Sequence, residues 1–236
     1  MNNLSIMTMR WTAHHHLLNQ AITYRMPLMN PLRSPLLKRL MDIAGALVAL
    51  LLFSPILIIT AIMVWLTMGR PVLFQQIRPG LNEKPFKIFK FRSMKNATDA
   101  SGKPLSDAER LTKFGVIMRN FSIDELPQLF NILKGDMSIV GPRPLLFDYF
   151  PYYTPTEMRR HEAKPGVTGL AQVNGRNNLN WDARLAMDVE YVDHWTVWMD
   201  IKIIFQTIGI VLRREGVTND GHATFLRLDD YRRGAK

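Results

Sequence analysis

Residues 43–69, IAGALVALLLFSPILIITAIMVWLTMG, run for 27 positions without a charged side chain. As an α-helix this stretch would extend about 40 Å at ~1.5 Å per residue, longer than the ~30 Å hydrocarbon core of a bilayer. It starts well inside the chain, is too long for a signal-peptide core and lacks a small-residue cleavage site, so it reads as a retained membrane element. Ser54-Pro55 lies at its middle. Pro55 has no amide to offer the carbonyl of Leu51, and in lipid that carbonyl must find a partner locally; the Ser54 hydroxyl is the candidate. Two arrangements stay open, a kinked transmembrane helix and a bent, re-entrant hairpin. Arg33, Lys38 and Arg39 precede the stretch, and Arg70, Arg78, Lys84, Lys87, Lys90 and Arg92 follow it. The positive-inside tendency places both flanks on the cytoplasmic side, which a hairpin satisfies and a straight crossing violates at one end.

The remainder of the 236-residue chain is long enough to bury a core of its own. It has no cysteine, which excludes disulfide staples, thiolate catalysis and cysteine-ligated metals. The formal charge is +10, from 30 basic and 20 acidic residues. That balance calls for an anionic partner: nucleic acid, an acidic membrane surface or a phosphorylated substrate. No nucleic-acid recognition motif accompanies the charge, so nucleic acid is set aside.

After Gly69 the sequence becomes a mixture of short strand and helix signals, an α/β (α+β) pattern. Val72-Leu73-Phe74 reads as a strand and Gln75 to Gly80 as its end and turn. Residues 86–92, FKIFKFR, read as a period-two strand with one buried and one cationic face; a solvated basic edge and a phosphate-facing strand are both open. Trp198, Ile201, Phe205, Ile208 and Leu212 follow helical spacing and end at Arg213-Arg214, which suits either a membrane-interface helix or a core helix.

Residues 119–136, RNFSIDELPQLFNILKGD, carry the chemistry. Ser122 and Glu125 have the spacing of a capping box, and Leu126, Leu129, Phe130 and Leu133 recur on one helical face up to the stop at Gly135. Asp124 and Glu125 are thereby expected in the first turn of an amphipathic helix, where the helix dipole favours ionised carboxylates. They are either cap acids or a nucleophile beside a metal ligand. Gly141-Pro142-Arg143-Pro144 holds Arg143 on a stiff backbone, a rigid turn or a rigid anion anchor. In residues 164–177, KPGVTGLAQVNGRN, the glycines permit close backbone approach to a ligand, and Gln172, Asn174 and Arg176 could read uracil, sugar or phosphate.

Taken in order, these segments resemble the bacterial sugar transferase family, the small monotopic phosphoglycosyl transferases. The resemblance runs from Lys38-Arg39 to about Val217 through Ser54-Pro55, residues 86–94, Arg119 with Asp124-Glu125-Leu126-Pro127-Gln128, Gly141-Pro142-Arg143-Pro144, and Pro165 to Arg176. It is most similar to the short enzymes that initiate protein glycosylation, including the diacetylbacillosamine-phosphate transferases. One departure is Ser93, where the family often has threonine. The resemblance implies a re-entrant membrane helix over residues 38–69, broken at Ser54 and Pro55, and a catalytic domain over 70–217 on the cytoplasmic face of the inner membrane. It implies Asp124 as nucleophile, Glu125 as the Mg²⁺ ligand, and Lys90, Arg119, Arg143, Gln172 and Arg176 at the substrates. Those substrates would be a UDP-sugar and undecaprenyl phosphate, met at the lipid bilayer, with later glycosyltransferases as further partners. Residues 1–37, with His14-His15-His16, read as an extension outside the resemblance, with Met26 or Met29 as an alternative start. Residues 218–236 read as a polar, loosely ordered tail.

Overall fold

Ser34-Pro35 starts the long helix. The Ser34 hydroxyl accepts the Leu37 amide at 3.2 Å, and Pro35 takes the first helical position, where its missing amide is no loss. From there α1 (Pro35–Met68) continues for 34 residues through Pro55. The computed structural model describes residues 33–99, 101–103, 105–175, 179–213 and 227–234. The expectations for residues 1–32 and for Arg176 therefore lie outside the described residues.

At the helix midpoint the Ser54 hydroxyl donates to the carbonyl of Leu51 at 2.8 Å, the repair expected beside a proline. The middle of α1 faces outward, with Leu51 80% exposed. Each of its two ends buries one face. Ala46 joins Ile88, Ile132 and Met137 in one buried cluster, and Val64 joins Phe91 and Met118 in another. Polar contacts reinforce both attachments. Arg39 donates to the carbonyls of Ile132 and Leu133, Asp42 accepts from the Ser138 hydroxyl and the Ile139 amide, and Lys38 pairs with Asp200 at 2.5 Å. At the far end Arg92 donates to the carbonyls of Met68 and Gly69, which closes the helix with a cation where the dipole is negative.

Beyond α1 come β1 (Leu73–Pro79) and β2 (Pro85–Phe91), an antiparallel hairpin pairing Leu73 with Phe91 and Pro79 with Pro85. α2 (Asp107–Arg110) and α3 (Lys113–Asn120) lead to a 3₁₀ turn, Ile123–Glu125, followed by α4 (Gln128–Lys134). β3 (Ser138–Val140) pairs in parallel with β4 (Gly166–Thr168), and between them lie a 3₁₀ segment Phe147–Tyr152, α5 (Pro155–Met158) and a second 3₁₀ segment Arg159–Glu162. α6 (Leu170–Val173), α7 (Trp181–His194), α8 (Val197–Arg213) and α9 (Leu228–Gly234) complete the described chain. The fold is thus mixed helix and sheet, as the sequence pattern indicates.

Several local expectations are corrected. In residues 86–92, Lys87 and Lys90 differ in parity and project from opposite faces of β2, so there is no single cationic face. In α4 the buried positions are Gln128, Asn131 and Ile132, whereas Phe130 of the expected stripe is exposed. The reason is polar: the Asn131 side chain accepts the Phe89 amide at 3.0 Å and donates to the Lys87 carbonyl at 2.7 Å, standing in for a neighbouring strand along β2. Periodicity in apolar residues cannot register such a contact. Two of the glycines of residues 164–175, Gly166 and Gly169, pack closely against the Gly141 backbone. A Cβ on Gly166 would sit 2.1 Å from the Gly141 amide nitrogen, and one on Gly169 would sit 2.2 Å from the Gly141 carbonyl oxygen. The tail is not loose throughout, because Leu228 of α9 is fully buried against Leu145, Tyr149, Trp181 and Leu185.

α8 decides between the two readings of its apolar stripe. Val197, Asp200 and Ile203 face inward, while Trp198, Ile208, Phe205 (70% exposed) and Leu212 (78% exposed) face away from the protein. The stripe read from the sequence is therefore not core.

Candidate active site

Asp124 and Glu125 sit in the 3₁₀ turn Ile123–Glu125, one step ahead of α4 rather than inside its first turn. The capping box does not form. Ser122 makes no side-chain cap and adopts a left-handed backbone, φ 55°, rare for a residue with a Cβ. That turn of the chain frees the Glu125 side chain to face β2 instead of its own helix start. Its Oε1 accepts Lys90 at 2.6 Å and Arg143 at 2.5 Å, and its Oε2 has a second Arg143 contact at 3.3 Å.

The two carboxylates differ in state because their surroundings differ. Burial works to raise the Glu125 pKa, but Arg143 and Lys90 more than reverse it, and the group lies far below the ordinary glutamate value. Asp124 is 8% exposed and has no hydrogen bond or ion pair among the described residues. Its carboxyl is pushed up to about 6, chiefly by burial and then by the Glu125 charge, against the pull of Lys90, Arg119 and Arg143. Desolvation outweighs the helix dipole here: a short 3₁₀ turn supplies little dipole, and removal from water costs a carboxylate more. The result is an oxygen with free lone pairs, more basic than an ordinary aspartate, at the edge of a cationic cluster.

Each cation has a separate support. Lys90 comes from β2, whose position against the turn is held by Asn131. Arg119, in the last turn of α3, donates through Nε to the Ser93 hydroxyl at 3.1 Å. Arg143 follows Gly141-Pro142, and its carbonyl accepts from Arg160 at 2.7 Å.

Residues 33–214 match the bacterial sugar transferase family. The chain belongs to that family. It is 51% identical over 189 residues to the uncharacterized sugar transferase EpsL of Bacillus subtilis, a match covering 80% of this chain and 94% of that one. It is 40% identical over 203 residues to an undecaprenyl-phosphate galactose phosphotransferase of Salmonella typhimurium, where the match covers 78% of this chain but 42% of the other. With a UDP-glucose:undecaprenyl-phosphate glucose-1-phosphate transferase of Caulobacter vibrioides it shares 40% identity over 187 residues, 74% of this chain and 69% of the other.

In this sugar transferase the structure gathers Asp124, Glu125, Lys90, Arg119 and Arg143. The Gln172 amide donates to the Val167 carbonyl at 3.0 Å, within its own segment. Two supporting residues escaped the sequence reading. Arg160 and Asp188 form a buried ion pair at 2.6 Å, and the same guanidinium holds the Arg143 carbonyl. A signal was available for Asp188, since it follows Trp181 and Leu185 and precedes Val189 on the buried stripe of α7. A carboxylate at a core position of a helix implies a buried partner. Arg160 had no comparable signal.

Proposed function

We propose that this chain transfers a sugar-1-phosphate from a UDP-sugar to undecaprenyl phosphate and releases UMP, using Asp124 as nucleophile. The observation that carries the reading is the Asp124 carboxylate, buried and unengaged among the described residues, within reach of three cations. In the first step an Asp124 oxygen attacks the sugar-bearing phosphorus; the bond from that phosphorus to the bridging oxygen breaks, and its electrons leave with UMP. In the second a lipid phosphate oxygen attacks the same phosphorus, and the Asp124 carboxylate departs unchanged. Lys90 and Arg143, fixed in advance on Glu125, oppose the charge on the phosphoryl oxygens without further reorganisation.

Magnesium belongs to the same proposal. Among the described residues no group of three or more His, Cys, Asp or Glu is gathered for a metal. The residues fit an ion that takes most of its ligands from substrate phosphates and water, as magnesium does. Glu125 would hold it through Oε2, which has only the 3.3 Å contact from Arg143. The ion would offset charge on the diphosphate.

The relatives with named sugars act on glucose or galactose by name, whereas the resemblance read from the sequence points to diacetylbacillosamine. Incubating the full chain with undecaprenyl phosphate and each UDP-sugar in turn tests both the sugar and the reaction. Release of UMP is expected with one of them; release of UDP would mean direct glycosyl transfer and would sink the proposal.

A re-entrant α1 is part of this reading and places the dyad at the cytoplasmic membrane face. Ala46 and Val64 would be ~27 Å apart on a straight helix. Their clusters include Ile88 and Phe91, only ~10 Å apart along β2. Attachment of both helix ends to one domain, the outward apolar middle and the Ser54-Pro55 repair all support a bend within the bilayer. The outward stripe of α8 supports a second contact with the lipid surface. Single cysteines introduced as Leu36→Cys and Gln75→Cys should both react with a membrane-impermeant thiol reagent from the cytoplasmic side. Labelling from opposite sides would contradict the hairpin.

A further inference from the structure

Residues 227–234 lie beyond the stretch that matches the family, yet they pack against the segment that presents Arg143. The fully buried Leu228 sits among Leu145, Tyr149, Trp181 and Leu185. Leu145 is two residues past Arg143. Trp181, Leu185 and Asp188 recur at i, i+4 and i+7 as buried positions of α7. The face of α7 that receives Leu228 is therefore the face that, one turn later, delivers Asp188 to Arg160. Tyr149 meets Trp181 edge-on with ring centroids 5.5 Å apart, and the Arg227 guanidinium covers the Tyr149 ring at 5.6 Å.

Polar contacts of α9 run to the same places. Arg232 donates to Asp182 at 2.6 Å and to Glu157 at 2.5 Å, so one guanidinium bridges the start of α7 to α5. Glu157 is three residues before Arg160, and Asp182 is six before Asp188. The bridge thus joins, from outside, the two segments that supply the buried pair holding the Arg143 carbonyl. The other Glu157 oxygen accepts the Thr154 amide at 2.7 Å, which orients the carboxylate for Arg232. Tyr231 donates to the second Asp182 oxygen at 2.8 Å, and Arg233 donates to the Tyr152 hydroxyl at 2.9 Å. The Asp182 side chain is 55% exposed, and ion pairs of that exposure add little stability. Such a bridge acts on the relative position of its two carriers.

We propose that α9 is a positioning element for the reaction: Leu228 and Arg232 clamp Leu145, α5 and α7 together and so hold Arg143 on Glu125. The inference rests on the transferase reading above, in which Arg143 opposes charge on the phosphoryl oxygens. Arg143 follows Gly141-Pro142 on a segment between β3 and the 3₁₀ stretch Phe147–Tyr152. Its carbonyl is tied by Arg160, and the chain is packed again at Leu145. Both ties are backed by α9. A misplacement of about 1 Å at a group that stabilises the transition state costs on the order of 10²-fold in rate, so a partly loosened clamp registers in turnover.

The test is a double-mutant cycle in the full chain, read as UMP release with undecaprenyl phosphate, well below each variant's unfolding midpoint. Leu228→Ala and Arg232→Gln are each placed in the wild-type and the Arg143→Lys background. Leu228→Ala is expected to lower both the midpoint and, by about tenfold, kcat. Arg232→Gln should leave the midpoint nearly unchanged and lower kcat by about fivefold, with KM for the UDP-sugar within about twofold. Leu228→Met, which conserves volume, should restore both readings. In the Arg143→Lys background each change should cost less than about twofold, because the group it positions has already lost its fork. A kcat within twofold of wild type in both α9 variants overturns the proposal and leaves α9 a part of the fold alone. Equal losses in the two backgrounds also overturn it, since α9 would then not act through Arg143. If Leu228→Ala fails to fold, Arg232→Gln decides by the same cycle. The transferase reading fails separately, if no UDP-sugar yields UMP with the wild-type chain.

Discussion

Replacing Asp124 with asparagine is expected to lower sugar-phosphate transfer by at least about a thousandfold while making the folded chain more stable. The two effects have one cause. The Asp124 carboxyl lies at about 6 in the folded chain against 3.8 as a model acid. The folded state therefore binds this proton more tightly than the unfolded one. Below about pH 4 both states are protonated and nothing is lost; stability falls as the pH rises from ~4 to ~6 and stays reduced above. The penalty at neutral pH is on the order of 1–3 kcal/mol. Asparagine has no charge to bury and removes it. Denaturant unfolding at pH 7.5 should show a higher midpoint for Asp124→Asn, and the gain should vanish near pH 4. In the wild-type chain kcat/KM should rise with pH up to about 6 and then level, because attack requires the ionised form. A structural cap acid would behave in the opposite way: its removal would lower stability and spare turnover.

The second large effect is expected away from the dyad. Arg160 and Asp188 are both fully buried, and Asp188→Ala would leave the guanidinium without a counter-charge. Breaking such a pair from one side costs about 3–5 kcal/mol. Since Arg160 also holds the Arg143 carbonyl at 2.7 Å, turnover should fall by about tenfold or more as well. The double change Arg160→Met with Asp188→Leu separates the two roles. Apolar side chains of similar volume should recover most of the stability, but the Arg143 carbonyl would still lack its donor, so turnover should stay low. Equal recovery of stability and turnover would show that the pair serves the fold alone.

Much of this site could be read from residue order, and the misses share a physical origin. Ser54-Pro55 told what the backbone would need, and the structure supplies it through the expected hydroxyl. Lys90 and Arg143 pair with Glu125, and with Arg119 they act on the Asp124 carboxyl. What failed were inferences from local rules. The S-x-x-E spacing of Ser122 and Glu125 suggested a cap, but a partner on β2 outbid the local amide for Glu125. The close packing of Gly166 and Gly169 on Gly141 was not legible either, because Gly141 lies far off in sequence. Asn131 and Arg160 act through contacts 42 and 28 positions away, which no local pattern records.

Catalysis by Asp124 as nucleophile requires a covalent bond to its carboxylate. The full chain, incubated with its UDP-sugar and magnesium but without lipid acceptor, should be digested and the Asp124 peptide weighed by mass spectrometry. A gain equal to one sugar phosphate on that peptide is expected, absent from Asp124→Asn and lost again when undecaprenyl phosphate is added. An unmodified Asp124 peptide in a chain that still turns over, or the same adduct on another residue, would contradict it.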